Sequence, residues 1–443
     1  MQNPWIKSTI RLLAGGGILL SALALSACAP ANAGTRQLEV RNGEADLRDW
    51  SFNGDGIADL SGDWIFYPGQ FLEPGRPAVA DGLQLAVPAD WNATAGIPAF
   101  SFGTYRLRVQ LPEPAATEEI LALELHNTQL AGRVYVNEEL VASAGTVGTA
   151  LGESHPAFLP AVVFLPKQML RQSVLELTIH ISNFTFRSGG LLHAPRIGAA
   201  HGVGAELNRN SALALFLFGS LGMMALYHLS LYLGRRSDPS ALYFTLICTA
   251  LAIRSVIVGD QLMFNEMLWF SNYLRLRLEY ASFYLGVAAL SAYIHALYPR
   301  EYGRILHRAA LITSLVFTAT LVLPAQLFDR VLPVYQIFCI GLATAILVAI
   351  ARANLRGRPG AGTFALGITI LVGTGMLEVG IALLYGQASV YVPFGMLGFV
   401  LTHSTLLARR LSRGFLAAEE LTASLEQKVS ERSFPDSCTS GPT

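Results

Sequence analysis

A succession of long apolar runs begins at Ser211, and this feature constrains the fold more than any other. A helix needs about 20 residues to cross the roughly 30 Å of bilayer hydrocarbon, and backbone that faces lipid must be helical here to satisfy its own hydrogen bonds. Only 14% of the residues are charged and 52% are hydrophobic, as in a membrane protein. The sequence predicts seven spans, near 211–234, 240–259, 277–298, 308–325, 331–352, 361–385 and 391–408.

Arginines predict the direction of the spans. Eleven lie beside the loops and ends that follow odd-numbered spans: Arg235, Arg236, Arg300, Arg304, Arg308, Arg352, Arg356, Arg358, Arg409, Arg410 and Arg413. Three lie beside loops that follow even-numbered spans: Arg275, Arg277 and Arg330. Because short cytoplasmic loops carry the excess of Lys and Arg, the N-terminal region is expected outside and the C-terminus in the cytoplasm.

The first 28 residues have the layout of an export signal. Lys7 and Arg11 precede an apolar run that ends in Leu25-Ser26-Ala27-Cys28. This tetrapeptide resembles the lipobox of bacterial lipoproteins, so Cys28 is a candidate lipidation site. The alternative, a cysteine at the end of an uncleaved anchor, stays open. Either interpretation exports the following residues to the periplasm of a bacterium and leaves the spans in its inner membrane.

Residues 38–203 have a different pattern, with short alternating apolar stretches separated by Gly, Pro and Asn. Such stretches occur at 60–67, 104–111, 120–125, 133–136, 162–165 and 175–181. Many short strands at even spacing are typical of a β sandwich, and Asn137-Glu138-Glu139 is expected to form a hairpin turn. The predicted fold class is therefore an N-terminal all-β sandwich followed by an all-α seven-helix transmembrane bundle at 208–408.

Several short segments carry a resemblance to a known family. They are Gly62-Asp63-Trp64, Val87-Pro88-Ala89-Asp90-Trp91, Gly103-Thr104-Tyr105-Arg106-Leu107, Val134-Tyr135-Val136-Asn137, Ile181-Ser182-Asn183-Phe184 and Arg187-Ser188-Gly189-Gly190. In this order they resemble the periplasmic jelly-roll module of bacterial seven-transmembrane receptors with diverse intracellular signalling modules. That module is similar to galactose-binding-like carbohydrate domains. With the seven spans, the resemblance covers residues 45 to about 430 and implies a signal receptor.

The resemblance implies a small-molecule or glycan ligand, and five residues are candidates to bind it: Trp91, Phe102, His155, Asn183 and Arg187. Sugars dock on aromatic faces, while Asn, Arg and His hydrogen-bond the hydroxyls. Trp64, Phe100 and Tyr105 are further candidates for the same role. Core packing is the alternative for Trp64 and Tyr105, and a structural turn is the alternative for Asn183.

Two ionisable residues lie within predicted spans, Arg254 in the second and Glu378 in the sixth. Both fall in the outer half of the membrane if the arginine rule holds. Each costs about 2.5–3.5 kcal/mol at the bilayer centre on insertion scales, so a partner is expected. We hypothesise an Arg254–Glu378 pair, with Arg275, Arg277 and Glu279 nearby, that couples the β domain to the bundle. Local snorkelling to the interface is the alternative.

After the seventh span, residues 409–432 show apolar or small residues in a heptad spacing. They predict a cytoplasmic connector helix that pairs in a homodimer, and residues 433–443 predict a disordered tail. In the family such a helix leads into a histidine kinase or a cyclase, whereas this sequence contains no such domain. Truncation of a longer gene and action through a separate cytoplasmic kinase or cyclase partner both stay open.

The remaining functional classes receive less support. The zero net charge gives no basic field for nucleic acid. The residues 53–59 match only part of a calcium loop and lack its bidentate glutamate, so neither a metal site nor a cofactor is predicted. No motif for a phosphate-binding loop, a zinc protease or a serine hydrolase is present. A membrane transporter or channel with a periplasmic binding domain is the main alternative to a receptor, and an enzyme acting on lipid-linked sugar is a further one.

Overall fold

The computed structural model describes residues 38–77, 81–94, 96–112, 120–125, 130–157, 162–258, 272–358, 360–385, 391–405 and 422–426. The candidate lipidation site Cys28, the tail at 433–443 and nearly all of the connector at 409–432 lie outside these residues. Within the connector, residues 422–426 are helical.

Two β sheets form the N-terminal domain. The strands are β1 Val40–Arg41, β2 Glu44–Asp46, β3 Ala58–Asp59, β4 Gly62–Pro68, β5 Leu83–Val87, β6 Ser101–Gln110, β7 Leu121–Glu124, β8 Ala131–Val136, β9 Glu139–Ala144, β10 Val162–Leu165, β11 Val174–Asn183 and β12 Arg196–Ala199. One sheet has eight strands in the order β5-β4-β1-β2-β6-β11-β8-β9, and the other has four in the order β10-β7-β12-β3. The predicted sandwich is confirmed.

The sandwich core comes from the alternation along the strands. Trp64, Phe66 and Tyr105 are fully buried between the sheets, and the ring centroids of Phe66 and Tyr105 lie 4.4 Å apart. The predicted turn after Val136 joins β8 to β9. Asn137 adopts a φ of 56° there, which asparagine tolerates better than most residues.

The C-terminal part is helical, with helical residues in each of the seven predicted spans. The helices are α1 Ala200–Gly234, α2 Ser240–Ile257, α3 Asn272–Leu297, α4 Arg304–Thr320, α5 Ala325–Leu355, α6 Ala361–Tyr385 and α7 at residues 392–405. Five of them, α1, α2, α3, α5 and α6, are long and apolar enough to cross a membrane by length and composition. The all-β plus all-α fold class is confirmed.

Helix α1 begins at Ala200, directly after β12 ends at Ala199. Hydropathy predicts its start near 211, because residues 200–210 are mostly small or polar. Val203 and Leu207 are nevertheless buried in this first part, which packs on strands β7, β10 and β12. The 35 residues extend about 52 Å, so one continuous helix runs from the sandwich into the bundle without a linker.

Candidate functional site

The loop that follows β11, residues 184–190 (the junction loop), is shaped by Asn183. The Asn183 side chain is 1% exposed, and its Nδ2 donates toward the carbonyls of Ala99, Phe186 and Ser188 at 3.0, 2.8 and 3.1 Å. Its Oδ1 accepts from the Thr185 and Phe186 amides. Asn183, a predicted ligand residue, therefore occupies its hydrogen-bonding groups in folding this loop.

The junction loop contacts the bundle at the start of α5. Phe186 packs against the sandwich core and against the aromatic cluster at this end of the bundle. The Arg187 amide donates to Asp329 Oδ2 at 2.8 Å, and the Tyr280 hydroxyl donates to Asp329 Oδ1 at 2.7 Å. Asp329 is 5% exposed. One buried carboxylate thus ties the sandwich to helices α3 and α5.

Two neighbours of Asp329 extend this contact. Gln326 Nε2 donates to the Phe184 carbonyl at 3.0 Å, and the Arg330 guanidinium lies 5.0 Å from the centroid of the Phe100 ring. The negative face of an aromatic ring attracts a guanidinium at such a distance. The first two turns of α5 therefore hold the sandwich through backbone, side-chain and ring contacts.

Arg254 and Glu378 pair within the bundle, on α2 and α6. Arg254 Nη2 lies 2.8 Å from Glu378 Oε1, and both side chains are largely buried. Glu378 Oε2 accepts from the Val392 amide at 3.1 Å, at the start of α7. The Arg275 Nε donates to the Ile257 carbonyl at 3.0 Å, at the end of α2. These groups join α2, α3, α6 and α7 close to the sandwich.

A cavity of about 530 Å³ lies between the junction loop and the bundle. The loop contributes Phe186, Arg187 and Ser188, and the helices contribute the ionisable residues Arg254, Arg275, Glu279, Asp329 and Glu378. We call it the outer cavity. Arg187, predicted to contact a ligand in the sandwich, thus lines a space shared by both domains.

Two further predicted ligand residues, Trp91 and His155, belong to the sandwich and do not line the outer cavity. Trp91 is fully buried, packs 5.4 Å from Phe66 and leaves no room for a Cβ at Gly189, so its indole has a packing role. His155 is exposed and pairs with Thr146 in an isolated bridge. Trp91 nevertheless lies against the junction loop, because its amide donates to the Gly189 carbonyl at 2.9 Å.

Phe102 belongs to an aromatic group on the outward face of the eight-stranded sheet. Phe71 lies 5.0 Å from Phe102 and 5.2 Å from His180, whereas Tyr135 lies 5.1 Å from His180. Burial, with Arg133 and Arg106 alongside, lowers the pKa of His180, although its ring nitrogen bonds the Leu72 carbonyl. This aromatic face is defined by Phe71, Phe102, Tyr135 and His180, of which the first three are partly buried and His180 is buried.

Sequence reasoning missed Asp329, Phe186 and Gln326. Asp329 falls between the predicted spans 308–325 and 331–352, and its partners Arg187 and Tyr280 lie 142 and 49 residues away in the sequence. The one available signal is an acid in the short connection at 326–330, on the predicted outer side.

Comparison with known proteins identifies the membrane part. The model of a family described as 7TM diverse intracellular signalling matches residues 210–410. No curated protein sequence matches the chain significantly.

Solved structures share only weak similarity. A glycosyl hydrolase family 2 member from Bacteroides cellulosilyticus DSM 14838 is 15% identical with a TM-score of 0.25, covering 32% of this chain and 20% of that one. The β-glucuronidase of Faecalibacterium prausnitzii is 14% identical with a TM-score of 0.26, covering 32% and 31%. The β-glucuronidase of Bifidobacterium dentium, complexed with coumarin-3-O-glucuronide, is 16% identical with a TM-score of 0.26, covering 32% of this chain and 30% of that one. The chain spans a third or less of these structures, and the scores carry no functional argument.

Proposed function

Since residues 210–410 are the seven-transmembrane module of the 7TM diverse intracellular signalling family, we propose that the chain is a receptor of the bacterial inner membrane. Its sandwich senses a small molecule or glycan in the periplasm, and its helices relay binding to a cytoplasmic output. The matched family is a sensor module and not a catalytic one, so the kinase or cyclase activity resides in an output module or partner.

The contact between Arg187 and Asp329 carries this proposal. A ligand can shift a receptor only if it binds two states with different affinity, and the two states must differ at a contact that both domains share. The Asp329 carboxylate is such a contact, because it accepts from the sandwich and from α3 at once. The continuous passage from β12 into α1 gives a second rigid connection.

Two features of the chain support the proposed side of the membrane. The sandwich touches the starts of α1 and α5, and these lie opposite the ends that carry Arg235, Arg236 and Arg356. The excess of arginines at those ends favours the cytoplasm. The sandwich is therefore periplasmic in this proposal, which agrees with the export signal predicted in the first 28 residues.

The aromatic face is the proposed ligand site in the sandwich. The partly exposed rings of Phe71, Phe102 and Tyr135 offer flat surfaces for sugar rings, and Arg133 and His180 lie on the same face of the sheet. Phe102 was predicted from the sequence for this role. Phe71 contacts the Phe102 ring at 5.0 Å, and Tyr135 contacts the His180 ring at 5.1 Å.

The experiment uses the full chain in lipid nanodiscs. Spin labels are attached to cysteines introduced at positions 236 and 356, and the native cysteines are replaced. A panel of mono- and oligosaccharides is screened for binding, and the distance between labels is measured by double electron–electron resonance. We expect a binding glycan to change this distance. Tyr135→Ala and Phe102→Ala should abolish binding, whereas Phe164→Ala, at an exposed position of β10 in the four-stranded sheet, should not.

Asp329→Ala separates sensing from relay. Its hydrogen-bond partners, Arg187 and Tyr280, do not belong to the aromatic face, so binding should persist while the change in label distance is lost. Binding with an undiminished distance change in this variant would refute the relay through Asp329. A panel with no binder would refute glycan sensing and leave the family assignment of residues 210–410 intact.

A further inference from the structure

We propose that the outer cavity is a second ligand site, which takes an uncharged amphiphile with one or more hydroxyl groups, its polar end toward the sandwich. The inference concerns binding within the bundle. It stands apart from the proposed sensing of a glycan by the sandwich, because its test measures binding and not relay.

The cavity wall has an ordered polarity. Toward the sandwich it presents the charged residues at the outer ends of α2, α3, α5 and α6. Farther along the same helices, past Ser282 and Gln336, it presents mostly apolar side chains, namely Ile247, Leu251, Val287, Leu290, Leu342, Ile346, Leu371 and Val372. On α5 the lining runs from Asp329 to Ile346, about 25 Å of helix. A space polar at one end and apolar along its length fits an amphiphile.

The charges of the wall balance, which favours an uncharged occupant. Three arginines, Arg187, Arg254 and Arg275, face three carboxylates, Glu279, Asp329 and Glu378. Arg254 and Glu378 already pair, and Asp329 already accepts two hydrogen bonds. A charged headgroup would add a net charge in a site with little water, which is costly.

The wall also has an acceptor without a donor. Gln336 lines the cavity and is 5% exposed, and its Oε1 is buried without a hydrogen-bond partner in the part of the chain that the structure describes. The Glu279 carboxylate, a second potential acceptor, also lines the cavity. Buried polar atoms are nearly always satisfied, so a ligand that brings hydrogen-bond donors is expected here. Hydroxyl groups supply donors without charge.

The test uses three photoreactive probes with the same diazirine-bearing alkyl chain. Their heads are glycerol, carboxylate and trimethylammonium, and the protein is the full chain in phosphatidylcholine nanodiscs. Mass spectrometry maps the crosslinked residues. We expect the glycerol probe to label Leu290 and Ile346 saturably, in competition with the same molecule lacking the diazirine. The charged probes should label only lipid-facing positions such as Val348.

Matched variants locate the site. Gly375 lines the cavity, and a Cβ there meets only Val392 at 3.9 Å, whereas a Cβ at exposed Gly373 meets nothing within 4 Å. Gly375→Leu should abolish labelling of Leu290 and Ile346, and Gly373→Leu should leave it unchanged. Gln336→Leu should reduce it by about two- to tenfold, the effect of one hydrogen bond, and Thr344→Leu on the lipid side should not.

Equal labelling by all three heads, or saturable labelling by a charged probe alone, would overturn the proposal. So would unchanged labelling in folded Gly375→Leu protein. Folding is monitored by size-exclusion chromatography and thermal unfolding. If Gly375→Leu fails to fold, the comparison of Gln336→Leu with Thr344→Leu decides: equal labelling in these two variants would refute a ligand hydroxyl at Gln336.

Discussion

Arg254 and Glu378, 124 residues apart in the sequence, form an ion pair of 2.8 Å between α2 and α6. The same carboxylate accepts the Val392 amide at the start of α7. The pair therefore holds three helices close to the sandwich. Buried pairs of this kind contribute little net stability over apolar packing, but breaking one leaves an uncompensated charge.

The first prediction concerns this pair. Arg254→Glu and Glu378→Arg should each lower the free energy of unfolding by about 3–5 kcal/mol, because each leaves two like charges in place of a pair. The double variant should regain part of the loss. Recovery should be incomplete, since an arginine at 378 cannot accept the Val392 amide. Thermal unfolding in nanodiscs measures the cycle, and a double variant no more stable than either single one would contradict the pairing.

The second prediction concerns the Asp329 carboxylate. Asp329→Ala should reduce stability by about 2–4 kcal/mol, because the Arg187 amide and the Tyr280 hydroxyl both lose a charged acceptor. Hydrogen exchange of the Arg187 amide should accelerate. Asp63→Asn, at an exposed position of β4, serves as the control and should change neither quantity. Unchanged exchange at Arg187 in Asp329→Ala would show that this hydrogen bond does not hold the junction loop.

Some of this architecture was predictable from the sequence because it depends on local pattern. Period-two alternation predicts strands such as β11, and long apolar runs predict helices such as α6. The pairing of Arg254 with Glu378 was also accessible, because an ionisable residue in a membrane span needs a partner and few were available.

The junction was not predictable for a physical reason. Residues 200–210 have too little hydrophobicity to indicate a span, yet Val203 and Leu207 are buried against the sandwich and extend α1. Likewise, Asn183 looked like a ligand residue, since an asparagine beside glycines fits both a binding loop and a structural turn. Its role depends on carbonyls as distant as that of Ala99, and sequence spacing does not specify such contacts.

The third prediction isolates the donor function of Asn183. Asn183→Asp keeps the oxygen that accepts the Thr185 and Phe186 amides but replaces the amide donor, so a carboxylate oxygen would face carbonyl oxygens. We expect a loss of about 2–3 kcal/mol in stability and faster proteolysis within residues 184–190. The matched control Asn42→Asp retains its accepted bond from Gln84 and should have little effect. Equal stability of the two variants would contradict the assigned role.

The fourth prediction concerns pH. Burial lowers the pKa of His180 below its ordinary value near 6.5, so the unfolded chain binds a proton more readily than the folded one. The contribution of neutral His180 to stability is complete above about pH 6.5. It is lost as the pH falls through the folded-state pKa.

His180→Gln should therefore remove part of the decline in unfolding free energy between about pH 7.5 and pH 5. His155→Gln, at an exposed position, should leave the profile unchanged. Denaturant unfolding of the full chain at each pH, followed by tryptophan fluorescence, measures the difference. Because Arg106 and Arg133 both oppose protonation of His180, Arg133→Gln should reduce the decline in the same direction. Parallel profiles for wild type and His180→Gln would show that this ring does not set the acid sensitivity of the sandwich.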